Sequence, residues 1–162
     1  MKKHIVVING TGGCGKTSFA EFCSKYANVQ NVSSVAKVKE IARIVGWDGG
    51  KNEKDRKFLS DLKKITTEYN DMSFNEMKVR VEEFLKSPAE ILFLHIREPE
   101  EIKRAVSAFG AKTLLIKKEG LKNITSNSSD ADVDNYDYDY IIVNTSLENL
   151  EKEAEKFVQE LN

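Results

Sequence analysis

Residues 10 to 17 read GTGGCGKT, placing a lysine and a threonine directly after a cluster of glycines. The spacing is G-x-x-x-x-G-K-T, the phosphate-binding loop. Glycines let successive backbone N–H groups turn inward onto an anion, and the start of the following helix adds unsatisfied donors and a positive dipole end. Gly10, Thr11, Gly12, Gly13, Cys14 and Gly15 would line the phosphates and Lys16 would reach the β- and γ-phosphates. The Thr17 hydroxyl would take a Mg²⁺ position, with Ser18 following on the first helical turn. The cofactors expected are therefore ATP and Mg²⁺. A flexible glycine turn is the competing account, and it does not need so many fixed positions.

The motif requires a strand before it and a helix after it. Ile5 to Ile8 form a short apolar run suited to a buried strand, and Phe19, Phe22, Cys23 and Tyr26 mark one face of the helix that follows. Further along, strand and helix signals alternate. Val29 to Val35 reads as a second strand, and Val38, Ile41, Ala42 and Val45 repeat at helical spacing up to Gly46. Phe58, Leu62, Ile65 and Tyr69 predict a second stripe. Ser73-Phe74-Asn75-Glu76 has the form of a capping box opening a third helix, with Met77, Val81 and Phe84 inward, and Ser87-Pro88 ends it. Ile91 to Ile96 is the most apolar strand, Pro99 to Gly110 a helix, Thr113 to Ile116 and Tyr140 to Val143 two more strands. A last helix runs from about Thr145, with Leu147, Leu150, Ala154, Phe157 and Leu161 as its buried side.

This alternation predicts an α/β protein of three layers, a P-loop NTPase fold with a five-stranded parallel sheet. We expect one domain over residues 1–162. It carries a helical insertion at 36–88 that a minimal crossover does not need, and a polar stretch at 117–135, too long for an ordinary connection, that reads as a lid or as disorder.

Composition excludes several classes. With 25 Lys+Arg against 26 Asp+Glu the net charge is -1, which suggests neither a nucleic-acid nor a membrane surface. No apolar run approaches the ~20 residues of a membrane span, and Met1-Lys2-Lys3-His4 leads into a strand rather than a signal-peptide core, so a cytoplasmic location is expected. Cys14 and Cys23 read as a reduced pair, and the Asn-x-Ser/Thr triplets, including Asn9-Gly10-Thr11, as chance. A GTPase would show D-x-x-G after the third strand and N-K-x-D near the fifth; neither is present. Motor and unfoldase ATPases need a larger body. What remains is phosphoryl transfer to a small acceptor, which requires a second anion site facing the first.

The loop GTGGCGKT, the stretch SSVAKVKEIARIVGWDGGKNEKDRKFLSDLK, the segment LHIREPEEI and the segment SDADVDNYDYDYIIVN together give a chain that resembles the nucleotide-kinase group of phosphate-loop proteins. Within it the chain is similar to the branch of phage-type deoxynucleoside monophosphate kinases and animal-type phosphomevalonate kinases. The resemblance implies that the 36–88 helices bind the acceptor and that Arg97, ending the third strand, faces both substrates. It also implies that Arg56 clamps the acceptor phosphate through its planar fork, and that Asn144 and Thr145 contact the purine. Competing accounts stay open: a surface Arg97 paired to Glu98 or Glu101, a solvated Arg56 in the charged run 51–57, and a helix-capping Thr145 with Glu148 completing the box. Lys37 and Lys39 would line the acceptor pocket or a solvated helix face. Trp47 and Tyr69 would stack on a base or belong to the core.

The sequence also departs from that group. Its third strand commonly ends in Asp-x-Arg, whose carboxylate holds Mg²⁺ through water; here the position is His95, and a neutral imidazole is a poor Mg²⁺ ligand. Thr17 and the nucleotide would then hold the ion, Glu98 would substitute, or catalysis is weakened. The lid has no arginine. Its cations Lys117, Lys118 and Lys122 neutralise a phosphate without gripping it bidentately. Asp130, Asp132 and Asp134 imitate the start of a calcium loop, but Asn135 and Ile141 stand where that loop needs Gly and Glu.

The function expected is ATP-dependent transfer to a small phosphorylated acceptor, a (deoxy)nucleoside monophosphate, with Lys16, Arg97 and Arg56 in catalytic roles. The alternative is a nucleotide-binding sensor or accessory protein with weak or lost kinase activity. The partner expected is the small-molecule acceptor, with no nucleic acid and no membrane; the sequence carries no signal for an oligomeric state.

Overall fold

The computed structural model describes residues 2–120 and 133–162. Five parallel strands, β1 (His4–Asn9), β2 (Val29–Ser33), β3 (Ile91–His95), β4 (Lys112–Lys118) and β5 (Tyr140–Asn144), form one sheet in the order β2-β3-β1-β4-β5. The described helices are α1 (Lys16–Cys23), α2 (Ala36–Val45), α3 (Glu53–Asn70), α4 (Met72–Lys86), α5 (Pro99–Phe109) and α6 (Leu147–Leu161). Contacts group the chain into two compact units, Met1–Asn31 with Phe84–Asn162, and Val32–Glu83. The helical insertion expected at 36–88 falls for the most part in the second.

In the first unit, β1 and β3 lie mid-sheet and are buried on both faces, which is why Val6 to Ile8 and Ile91 to Leu94 are apolar without alternation. Edge strand β5 does alternate: Ile142 and Asn144 are buried while Ile141 and Val143 are exposed. Register sets the ends of β1 and β3 level, while β4 and β5 run on past the end of β1. Ile8 pairs with His95, Asn9 with Leu115, and Leu115 with Ile141. The carboxyl ends thus share one edge, where parallel α/β sheets bind ligands.

On one face Val6, Ile8, Ile91, Phe93, Leu114 and Ile116 pack with Phe19 and Cys23 of α1 and with Leu150, Ala154 and Phe157 of α6. Phe19 meets Phe157 and Phe93 edge-on, with ring centroids 5.6 and 6.2 Å apart. Burying one such ring contributes about 2–3 kcal/mol, and this one fixes the helix that the glycine loop leads into. On the other face α5 covers β1 and β4 with Ile102 and Ala105 buried. Tyr26 lies beyond the end of α1 and is exposed, as is Leu147 on α6, so neither joins the buried faces expected of them.

In the second unit, α2 packs on α3, with Val38 and Ala42 buried. The stripe expected along α3 does not become core: Ile65 is 62% and Tyr69 86% exposed, and no residue of the helix is buried. With 10 residues against 18, α2 is too short to cover it. Val45, at the end of α2, is exposed as well. The capping box at Ser73 is also corrected. Helix α4 starts at Met72, after Asp71 at φ 54°, and the Ser73 Oγ is buried inside the first turn with no hydrogen-bond partner among the described residues. Trp47 belongs to a loop rather than to a helical stripe. Its indole N–H donates to Gly50 O at 2.9 Å, and the Arg43 guanidinium lies 4.7 Å from its ring centroid.

Candidate functional site

The loop between β1 and α1 holds the motif. Gly15 is the N-cap of α1 at φ 106°, no side chain caps the helix, and its first turn carries no acidic residue. The helix start therefore presents its positive dipole end to the loop, where an anion is favoured. Two glycines are demanded by contact. A Cβ on Gly10, whose φ is 153°, would stand 2.5 Å from both Cys14 Sγ and the Ile116 carbonyl oxygen, and one on Gly15 would stand 2.7 Å from Asn144 Nδ2. The Cys14 amide closes the turn by donating to Thr11 O at 3.1 Å. Lys16 Nζ donates to Gly10 O, so its charge lies across the mouth of the loop. Thr17 is exposed and Ser18 half-buried on the first turn.

Beside the loop, the level ends of β1 and β3 carry Asn9 and His95, which bond to Tyr138 and Asn31. Asn9 is fully buried: its Nδ2 donates to Arg97 O at 3.1 Å and to the Tyr138 hydroxyl at 2.9 Å, while its Oδ1 accepts from Gly10 N at 2.8 Å. Tyr138, buried too, donates to Val133 O at 2.8 Å. His95 Nε2 lies 3.0 Å from Asn31 Oδ1; since that oxygen only accepts, the imidazole donates there and Nδ1 keeps its lone pair. Burial, reinforced by the charges of Lys16 and Arg97, pushes the His95 imidazole down to about 4. It is neutral at physiological pH. Burial pushes the Cys14 thiol up against the opposing pull of Lys16 and Arg97, so the loop cysteine is a packed thiol and not a nucleophile.

A stability change with pH follows from His95. Its folded pKa of about 4 lies below the ordinary 6.5, so between those values the unfolded chain holds a proton that the folded chain does not. The stability from this group is fully present above 6.5 and is lost as pH falls toward 4. The expected loss is roughly 2 kcal/mol between pH ~7.5 and pH ~5. Urea unfolding of wild type and His95→Gln across that window checks it: the variant should lose less, and parallel curves would show that His95 does not titrate this way.

The other residues picked out by sequence are placed as follows. Asn144, buried, donates from Nδ2 to Cys14 O at 3.0 Å, so its amide grips the phosphate loop itself. Thr145 is exposed and is not the cap of α6. Ser146 is, with its hydroxyl accepting from Asn149 N at 3.1 Å. Lys117 pairs with Asp134 at 3.4 Å and, with Thr11, residues 115–118 and Val133, lines a cavity of about 240 Å³ beside the loop. Arg56 lies exposed in the first turn of α3, in the second unit. Lys37 on α2 pairs with Glu40 at 3.6 Å, on an exposed helix face, and Lys39 is exposed too. Of the lid expected at 117–135, residues 121–132 lie outside the described residues, and with them Lys122, Asp130 and Asp132. Asn9, Asn31 and Tyr138 are site residues that sequence reasoning missed.

These residues suit a nucleoside triphosphate, because the loop offers a helix start with no side-chain cap, a lysine and room around Gly12 and Gly13, with nothing within 4 Å of the position a Cβ would take. For Mg²⁺ the chain supplies the Thr17 hydroxyl. Where a carboxylate would stand at the end of β3 it offers the neutral His95, and among the described residues no three His, Cys, Asp or Glu side chains cluster.

Sheet order, the strand-to-helix phosphate loop and helices on both faces define the fold as a three-layer α/β P-loop NTPase fold. Over its whole length the chain is similar to the crystal structure of TT1252 from Thermus thermophilus, at a TM-score of 0.59 and 18% identity with 100% of each chain covered. It is also similar to shikimate kinase from Aquifex aeolicus, at 0.50 and 10% with 97% of each covered. The likeness is one of fold. No protein-family model matches the sequence, and no curated protein does.

Proposed function

We propose that the protein transfers the γ-phosphoryl group of ATP to a small phosphorylated acceptor, a (deoxy)nucleoside monophosphate. The observation that carries this reading is the hydrogen-bonded geometry beside the loop: Lys16 Nζ donates to Gly10 O, the Gly10 amide donates to Asn9 Oδ1, and Asn9 Nδ2 donates to Arg97 O. Two fixed positive charges at the level ends of β1 and β3 suit the charge that builds up on a transferring phosphoryl group.

In this mechanism the backbone donors of residues 12–17 and Lys16 hold the β- and γ-phosphates, and Arg97 neutralises charge between donor and acceptor. The Thr17 hydroxyl, with phosphate oxygens, would hold Mg²⁺, which when bound neutralises the triphosphate. Arg56, by the resemblance, grips the acceptor phosphate. His95, with its imidazole pushed down to about 4, is too weak a base to take a proton efficiently at neutral pH. That suits a phosphate acceptor, already anionic, better than a hydroxyl. The likeness to shikimate kinase supports small-molecule phosphoryl transfer as the reaction class.

A second reading, a nucleotide sensor with weak transfer, is favoured by His95 standing in the place of the carboxylate. Arg97→Lys separates the two. It keeps the charge and loses the planar fork, so for a kinase kcat falls about 10-fold while ATP affinity changes little. A sensor would change ATP affinity or nothing. Unchanged turnover together with unchanged affinity removes Arg97 from the site.

A further inference from the structure

The proposed chemistry leaves unexplained why a fully buried asparagine ends β1. Asn9 spends both its amide hydrogens and its oxygen on three separate places: the backbone of Arg97 at 3.1 Å, the Tyr138 hydroxyl at 2.9 Å and the Gly10 amide at 2.8 Å. Tyr138 passes the connection on to Val133 O at 2.8 Å. A buried polar group closing the apolar run Ile5 to Ile8 has to be satisfied, and every member of this junction is. A fold-only role would need no such reach, since β1 and β3 are already held by their ladder. What the junction adds lies beyond the ladder, where Ile8 opposite His95 is the last pair of that register. Past it, Gly10 opens the phosphate loop and accepts from Lys16, and Arg97 leaves the sheet. Without Asn9 the two cations would depend on two separate turns for their spacing.

We infer that Asn9 and Tyr138 are positioning residues: they lock the backbone of Arg97 to the first residue of the phosphate loop and tie both to the chain at Val133, setting the distance between the donor site and the arginine. The inference rests on the phosphoryl-transfer reading for its effect on rate, and on the hydrogen-bond junction alone for its effect on structure. Displacements of about 1 Å at such a site cost up to ~10²-fold in rate without loss of binding.

Tyr138→Phe removes one hydroxyl and keeps the ring, and Asn9→Asp keeps the shape while losing both amide hydrogens. In each, kcat per folded molecule should fall about 10-fold or more, with the Kd for adenylyl imidodiphosphate within about 2-fold of wild type. A lowered melting temperature with kcat per folded molecule unchanged overturns the positioning role. Hydrogen exchange needs no turnover: Tyr138→Phe should speed exchange about 10-fold in both 10–17 and 95–98. Faster exchange confined to 133–138 overturns the junction. A wild-type protein that turns over no acceptor defeats the phosphoryl-transfer reading instead, and the exchange result still decides the junction.

Discussion

Lys16→Ala lowers kcat by ~10²-fold or more and weakens ATP binding, while the folded structure persists. Its ammonium lies across the mouth of the loop, bonded to Gly10 O, and removing one preorganised contact to a transferring phosphoryl group costs on that scale. The fold is expected to survive because α1 is anchored from below by Phe19 and Cys23 in the core, whereas Lys16 is only half-buried at the loop mouth. A spectroscopic signature accompanies the loss. Lys16 is one of two charges that lower the His95 pKa, so the variant should move the His95 titration upward, toward the ordinary 6.5. Steady-state kinetics and an NMR titration of the imidazole check both halves. Wild-type turnover in the variant would show that this loop is not the donor site.

Gly10→Ala is expected to be as severe, by a different route. The added methyl would have to stand 2.5 Å from a backbone oxygen, that of Ile116 on the neighbouring strand, and as close to Cys14 Sγ, at a φ of 153°. Backbone cannot step aside as a flexible side chain does, so the start of the loop must move. That displaces the amide bonded to Asn9 and the carbonyl that receives Lys16. We expect ATP affinity to fall ~10²-fold and stability to fall by about 1–3 kcal/mol. Calorimetric ATP titration with urea unfolding measures the two together. A variant that binds ATP normally would mean that the loop at Gly10 has more room than the contacts with Cys14 and Ile116 leave.

The phosphate loop was legible in the sequence because its chemistry is local. Eight consecutive residues, Gly10 to Thr17, carry the loop, and the apolar runs on either side declare the strand and helix it needs. The sheet was legible for a related reason: central parallel strands are apolar throughout, and Ile91 to Leu94 could hardly be anything else. What escaped was long-range. Tyr138 lies 129 positions from Asn9, and only the fold makes them neighbours. The signal at Asn9 was a polar residue closing an apolar run, but it was read only as part of a chance triplet. Helix α3 misled in the opposite direction. Phe58, Leu62, Ile65 and Tyr69 have the period of a buried face, yet periodicity says which residues share a side and not whether anything covers it. At Ser73 the box pattern was present, but Asp71 turns the chain so that the helix begins two residues earlier than that cap would place it, at Met72. Asn144 was singled out for the purine and is found gripping Cys14 O, a contact that no spacing rule could anticipate.

On this reading the two cations beside the loop, Lys16 and Arg97, serve transfer and not merely binding. The most direct measurement is ADP formation from Mg·ATP by the wild-type protein, with nucleoside monophosphates and phosphorylated alcohols offered one at a time as acceptors. The predicted result is acceptor-dependent turnover with at least one nucleoside monophosphate, with little ADP formed when no acceptor is present. Tight ATP binding with no acceptor-dependent ADP from any of them would contradict it and leave a nucleotide sensor.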